Sequence, residues 1–183
     1  MRLFTALDIS AEARAALVEL LRELAPAAPF RWSDPENLHI TTKFIGKWVD
    51  ADRDRLCGAL AGMPKPGVIE IGVRGLGWFP NPHSPRVLFA GIQAGPELAA
   101  LHQQTDAACA ALGIPAEDKP FSPHLTLARV PSPDGLQEVR QRIAQLPDAA
   151  EFGQFTARTF HLYESRPKPG GSQYIKLEEF PLL

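Results

Sequence analysis

The sequence predicts an α+β fold of two pseudo-symmetric lobes, each an antiparallel sheet with helices on its outer face. Two observations predict it. First, the pattern His-apolar-Thr occurs at His39–Thr41 and again at His124–Thr126, 85 residues apart in a chain of 183. Second, strand and helix patterns alternate, but the strands are short and half-polar, unlike the continuous Val/Ile runs of a buried parallel sheet. We expect a groove between the two sheets to hold the functional site.

Composition is that of an ordinary globular protein. Hydrophobic residues make up 45% and charged residues 22%, close to average soluble usage. The length suits one bilobal domain over residues 1–183. The net charge of -2 excludes a protein that binds nucleic acid nonspecifically over its whole surface, so any contact with RNA needs a local basic patch. We expect a monomer.

The cysteines and the N-terminal residues indicate a cytoplasmic protein. Cys57 and Cys109 lie in helix-like stretches and are interpreted as inert buried thiols in a reducing compartment. Residues 1–9 lack the apolar core of a signal peptide, and no later run reaches membrane-spanning length.

The first half of the chain predicts three strands and two helices. A short apolar strand covers residues 2–8, and Ser10 caps a helix that Pro26 closes. Asp50 is predicted to cap the second helix. The predicted elements are strand 2–8, helix 11–24, strand 30–32, the first His/Thr strand ending at Gly46, and helix 51–61.

The second half continues the alternation. The helix that begins at Pro96 and ends before Gly113 is expected to cover the second lobe. The predicted elements are strand 68–79, a proline-rich turn over 80–85, strand 86–92, helix 96–112, the second His/Thr strand, helix 134–146, and strands 155–164 and 174–179.

Strand alternation assigns the side chains of the first His/Thr strand to two faces. Successive side chains of a strand point to opposite faces. His39, Thr41 and Lys43 are therefore predicted on one face. Leu38, Ile40 and Phe44 are predicted on the other.

The second His/Thr strand presents one difficulty. His124 and Thr126 share a face, whereas strict alternation puts Arg129 with the apolar residues. Arg129 therefore reaches the groove only if the strand ends or bulges before it.

Two imidazoles facing one groove suit acid and base catalysis on a phosphodiester. Histidine titrates near neutral pH, so one ring can accept a proton while the other donates one. Thr41 and Thr126 could hold the nonbridging phosphate oxygens. Lys43 and Arg129 would offset the developing negative charge.

Other chemistries have less support. The five histidines show no metal-ligand spacing, and His83, His102 and His161 fit a turn, a helix face and a strand as solvated or core residues. No Gly-x-Ser-x-Gly elbow and no Gly-rich phosphate loop is present. We therefore predict catalysis without metal or cofactor.

The motifs resemble those of the 2H phosphoesterases, and among them the RNA 2',3'-cyclic phosphodiesterases, also called 2'-5' RNA ligases. The likeness lies in the tetrapeptides His39–Thr42 and His124–Leu127 and in their flanking segments, Pro35–Leu38 and Pro120–Pro123. It extends from Arg2–Leu7 through Phe79–Pro82 to Leu162–Ser165 and Tyr174. Thr42 departs from the pattern, which usually has an aliphatic residue there.

The resemblance implies hydrolysis of RNA 2',3'-cyclic phosphate ends to 2'-phosphomonoesters, with reversible 2'-5' ligation as a secondary activity. By this likeness His39 is the proton donor and His124 the proton acceptor, and Arg129 and Lys43 assist Thr41 and Thr126. Phe44 or Tyr163 is expected to stack a base.

Two alternatives remain at this point. One is a phosphodiesterase for a small cyclic nucleotide such as ADP-ribose cyclic phosphate. The other is a nucleotide-binding module without catalysis. RNA or nucleotide substrates are the expected partners in every case.

Overall fold

The computed structural model describes residues 1–147 and 150–183, and within them nine strands and four α-helices. No helix in these two ranges combines the length and the apolar character needed to cross a bilayer. The strands are β1 (Arg2–Leu7), β2 (Arg31–Trp32), β3 (Ile40–Lys47), β4 (Ile69–Phe79), β5 (Val87–Ala94), β6 (His124–Arg129), β7 (Glu151–Ala157), β8 (Thr159–Lys168) and β9 (Gly171–Pro181). The helices are α1 (Ala11–Leu24), α2 (Arg53–Gly62), α3 (Pro96–Ala110) and α4 (Leu136–Ala144).

The strands form two antiparallel sheets, as predicted. One sheet has the order β3-β1-β8-β9 and the other the order β2-β6-β5-β4-β7. Each sheet takes strands from both halves of the chain, so the lobes are not the two sequence halves. The strands that follow the two histidine positions, β3 and β6, lie close together where the sheets meet.

Helices α1 and α3 each pack on the sheet of the opposite lobe rather than on the sheet whose strand precedes them. Helix α1 follows β1 of the four-stranded sheet but packs on β7 of the five-stranded one. Helix α3 follows β5 of the five-stranded sheet but packs on β3 and α2 of the other lobe. The prediction that the helix after Pro96 covers the second lobe is therefore wrong, because helical periodicity reveals an apolar face but not the sheet that it contacts.

Two predicted element boundaries also need correction. The single strand predicted over 155–164 is two strands, β7 and β8, which lie in different sheets and are separated at Arg158. Asp50 does not cap α2, since a 3-10 turn over Asp50–Asp52 precedes the first α-helical residue, Arg53.

Each His/Thr strand contains a β-bulge directly after its threonine. In β3, Thr41 pairs with Ala6 and Lys43 with Thr5, so Thr42 has no partner on β1. In β6, Thr126 pairs with Phe89 and Ala128 with Leu88, so Leu127 has none on β5. An extra residue shifts the alternation of every side chain after it.

The carbonyl of the unpaired residue in each bulge accepts a hydrogen bond from a polar group elsewhere in the chain. The Thr42 carbonyl accepts a hydrogen bond from His102 Nδ1 at 2.6 Å, and the Leu127 carbonyl accepts one from the Ser33 amide at 2.8 Å. The Thr42 hydroxyl is buried and shares a hydrogen bond of 2.7 Å with that of Thr5. The departure from an aliphatic residue at this position is therefore accommodated.

A continuous apolar core lies beneath the groove. Buried residues of both sheets belong to one cluster. Ile40, Leu125 and Leu127 are fully buried, which fixes the opposite face of each histidine strand against the core. His39, Thr41, His124 and Thr126 are left half-exposed.

We predict that Gly91→Ala destabilises the protein because Gly91 pairs with His124 where β4 passes very close. A Cβ atom at this position would lie 2.4 Å from the Arg74 carbonyl oxygen, too close without a shift of backbone. Overpacking of this kind costs about 1–3 kcal/mol. Urea denaturation measures the loss of unfolding free energy.

The matched control is Gly58→Ala on α2, where an added Cβ meets nothing within 4 Å. Alanine is favoured over glycine in a helix by up to about 1 kcal/mol, so this variant should be at least as stable as the parent protein. Equal stability of both variants would contradict the close approach at Gly91.

Candidate active site

His39 and His124 are held in the same way. Nδ1 of His39 donates to the Asn37 carbonyl at 2.5 Å, and Nδ1 of His124 donates to the Ser122 carbonyl at 2.8 Å. A carbonyl oxygen only accepts, so Nδ1 carries a hydrogen in both rings. Nε2 is therefore the atom of each ring that can take up or release a proton at the groove.

Aromatic residues orient both rings. Phe4 and Tyr174 lie against His39, with ring centroids 5.0 and 5.2 Å away. Phe79 and Phe89 lie against His124 at 4.9 and 5.6 Å. None of these four aromatics belongs to the His/Thr motifs, and only tertiary structure assigns them to the site.

The two imidazoles are close enough to interact electrostatically. Burial lowers the pKa of His39, and the charge of His124 lowers it further. The hydrogen bond to the Asn37 carbonyl and the charge of Asp8 act in the opposite direction. The convergence of the two histidines on one groove stays a prediction.

The threonines lie on the histidine side of their strands, as alternation predicted. Thr41 Oγ1 is 2.7 Å from His39 Nε2. Thr126 pairs with Phe89, whose ring contacts His124. Thr41 and Thr126 are both half-exposed residues.

The bulge at Leu127 brings Arg129 to the groove. After the bulge, Arg129 pairs with Val87, which shares a face with Phe89. Arg129 also pairs with Arg31 of β2, so two exposed arginines stand opposite each other. Across the ranges 1–147 and 150–183, neither makes an ion pair with a carboxylate. Sequence reasoning missed Arg31, which belongs to no motif.

The bulge at Thr42 removes Lys43 from the groove, which corrects the prediction that it shares a face with His39. Lys43 is 1% exposed. Its Nζ donates to the Pro115 carbonyl at 3.0 Å and forms an ion pair with Asp106 of α3 at 2.6 Å. Phe44, predicted on the apolar face, is instead 62% exposed, and its ring is 6.4 Å from that of Phe4.

Tyr163 lies in the same aromatic group, but its ring and its hydroxyl both have partners. The ring stacks on Phe4 at 5.4 Å, and the hydroxyl donates to the Asp8 carboxylate. Burial and this hydrogen bond raise its pKa. Of the two predicted base-stacking residues, Phe44 is the one with an open ring face.

The remaining histidines lie where the sequence suggested, and of the two cysteines Cys109 is buried as predicted, whereas Cys57 is only half-buried. His83 is exposed, whereas His102 is buried and stacked on Phe121 at 4.2 Å. His161 is buried, with Nε2 2.9 Å from Glu179. Burial raises the pKa of Cys109 to about 11, which disfavours a reactive thiolate. The described part of the chain contains no group of three or more side chains placed to hold a metal ion.

Comparison with known proteins agrees with the fold and the motifs. The profile of the 2'-5' RNA ligase superfamily matches residues 8–168. The RNA 2',3'-cyclic phosphodiesterase of Archaeoglobus fulgidus is 33% identical and covers 98% of this chain and 99% of its own. The protein of the same name from Thermus thermophilus is 34% identical and covers 100% and 90%.

Solved structures give the same result. The crystal structure of TT0787 from Thermus thermophilus superposes with a TM-score of 0.80 at 32% identity, covering 100% of this chain and 98% of that one. The fold is also that of E. coli LigT, with a TM-score of 0.79 at 23% identity, covering 98% and 97%. This chain belongs to the 2'-5' RNA ligase superfamily, a family of 2H phosphoesterases.

We predict that Asp106→Ala destabilises the protein more than Lys43→Met. Without Asp106 the Lys43 ammonium stays buried and loses its closest counter-charge, a change that costs about 3–5 kcal/mol. Methionine at position 43 fills similar volume, and Asp106, which is partly exposed, can be solvated. Chemical denaturation of both variants gives the two free energies.

Asp54→Ala on α2 is the control, since Asp54 is exposed and helix N-terminal charges are worth less than about 1 kcal/mol. If the Lys43 ammonium lay in the groove instead, folding would not depend on it. Unchanged stability in both Lys43 and Asp106 variants would therefore contradict the buried pair.

Proposed function

We propose that the protein hydrolyses RNA 2',3'-cyclic phosphate ends to 2'-phosphomonoesters without a metal ion. The observation that carries the proposal is the matched pair of imidazoles, each bonded to a carbonyl through Nδ1, so that Nε2 is left as the atom that exchanges protons; Nε2 of His39 is hydrogen-bonded to the Thr41 hydroxyl. Relatives that cover nearly the whole chain at 33–34% identity bear the name RNA 2',3'-cyclic phosphodiesterase, which supports it.

The two histidines divide the proton transfers. His124 takes a proton from the attacking water, whose oxygen forms a bond to phosphorus. His39 donates a proton to the 3' oxygen as its bond to phosphorus breaks. Attack and departure occur on opposite sides of phosphorus, so a base and an acid are needed on opposite flanks. The phosphate remains on the 2' oxygen.

Hydroxyl and guanidinium groups hold the phosphate. Thr41 and Thr126, one beside each imidazole, bind the nonbridging oxygens. Arg129 offsets the charge that develops on them, and its strand neighbour Arg31 contributes to binding the phosphate. Two like charges at directly opposed strand positions repel each other, and an anion between them would relieve this repulsion.

Phe44 provides the surface for a base. It is the exposed aromatic of the His39 strand, and it stands five residues after its histidine, as Arg129 does after His124. Base stacking on an aromatic tolerates any base. Reverse joining of ends through a 2'-5' linkage would use the same groups.

We predict that His39→Ala and His124→Ala each lower the hydrolysis rate by roughly a hundredfold to ten-thousandfold, the usual worth of general acid or base catalysis. The assay uses a short RNA with a 2',3'-cyclic phosphate end and identifies the phosphate isomer formed. The 2' isomer is expected, and the 3' isomer would reverse the leaving-group assignment.

His83→Ala is the matched control, because His83 is exposed in the loop between β4 and β5 and should leave the rate unchanged. The rate should also be the same in EDTA. Loss of activity in EDTA would indicate a metal enzyme. Turnover of ADP-ribose cyclic phosphate but not RNA would favour the small-nucleotide alternative, and binding without turnover of either would favour a binding module.

We predict that Arg31→Ala raises KM by about tenfold to a hundredfold with little change in kcat, since one charge-assisted hydrogen bond is worth about 1.5–3 kcal/mol and Arg31 lies beside the reacting groups rather than among them. The salt dependence of RNA binding should weaken as well, because one fewer counterion is released.

Arg55→Ala on α2 removes the same charge from an exposed helix position and should change neither quantity. An equal effect of the two substitutions would mean that Arg31 acts only through net charge.

A further inference from the structure

The two histidine strands differ at the position opposite each imidazole. In the second lobe, His124 pairs with Gly91 of β5, which has no side chain. In the first lobe the last pair is Leu7 with Ile40. Continued by one residue, this register places Asp8 opposite His39. Directly opposite residues of an antiparallel pair share a face, so Asp8 and His39 are expected on one face, whereas Gly91 presents no side chain to His124.

Asp8 is held firmly at this position. Lys176 Nζ donates to Asp8 Oδ2 at 2.6 Å, and the Tyr163 hydroxyl donates to Oδ1. His161 Nδ1 is 3.6 Å from Oδ2. Burial alone would raise the pKa of Asp8, but these hydrogen bonds and the charge of His161 hold it below its ordinary value. The carboxylate is therefore ionised throughout the neutral range.

We propose that Asp8 is the group that distinguishes the two histidines: its carboxylate, which the continued β1–β3 register places opposite His39 where Gly91 lies opposite His124, favours the proton-bearing form of His39 and so supports its role as the acid. The inference rests on the proposed two-histidine function and deepens it. Asp8 is a positioning residue in this scheme, since it acts on His39 and does not touch the substrate.

The surroundings of His39 support this role for Asp8. Burial holds the pKa of His39 below its ordinary value, which is unfavourable for a group that must hold a proton, and the hydrogen bond to the Asn37 carbonyl and the charge of Asp8 offset only part of that lowering. The charged and titratable groups on the elements around His39 are Arg14 on α1, Asp34 before β3, His124 on β6, His161 and Tyr163 on β8, and Tyr174, Lys176 and Glu179 on β9. Asp34 is paired with Lys168, and Glu179 is bonded to His161. Asp8 is also paired, with Lys176, and of these carboxylates it is the one whose charge raises the pKa of His39.

The test is the titration of His39 by NMR in a His124→Ala background, which removes the second ring and needs no turnover. Asp8→Asn keeps the size of the side chain and removes its charge. The His39 midpoint should then move to lower pH. In the enzyme with both histidines, the alkaline limb of the kcat/KM profile should move to lower pH as well, because the acid loses its proton sooner.

Glu179→Gln is the matched control, since it removes one charge from the same cluster at a position not opposite His39. Its midpoint should stay at the parent value. An unchanged midpoint in Asp8→Asn, or equal shifts in the two variants, would overturn the proposal.

A second variant, expected to shift the His39 midpoint in the opposite direction, serves as the test if Asp8→Asn does not fold. Lys176→Met removes the cation that offsets Asp8, so the His39 midpoint should rise, and a fall would overturn the proposal. The two hypotheses fail separately. If His39→Ala keeps hydrolysing RNA ends, the proposed function fails whatever the titration gives; if it is inactive but Asp8→Asn leaves the midpoint unchanged, only this inference fails.

Discussion

A single extra residue after each His-x-Thr segment governs the arrangement of the groove. Strand alternation has a period of two, so one unpaired residue moves every later side chain to the other face. At Thr42 this shift buries Lys43 and exposes Phe44. At Leu127 it brings Arg129 to the side of His124. An aromatic and a cation therefore lie at corresponding positions of the two strands.

The bulges depend on contacts from elsewhere in the chain. His102 of α3 satisfies the carbonyl of Thr42, and Ser33 satisfies that of Leu127. A buried carbonyl without a hydrogen-bond donor destabilises the folded state, so these two hydrogen bonds stabilise the bulged backbone. The exchange of α3 onto the first sheet thereby supports the site directly, through His102 and through the Lys43–Asp106 pair.

Pseudo-symmetry provides two equivalent proton carriers, and catalysis requires them to differ. Both imidazoles have the same hydrogen bond at Nδ1 and two aromatic neighbours. Their neighbours differ, since the charge of Asp8 acts on His39 whereas Gly91 lies across the strand from His124. Gly91 has a second effect: because it has no side chain, strand β4 can pass close to it.

Sequence alone determined the fold class, the positions of most strands and helices, and the two histidines with their threonines, because each depends on local periodicity or on a short repeated motif. Tertiary structure decided the rest. The faces of Lys43, Phe44 and Arg129 depend on bulges, and a bulge leaves no mark in the hydrophobic pattern when the residues around it are mixed. Arg31 joins the site only through its pairing with Arg129, because strand pairing makes residues distant along the chain direct neighbours.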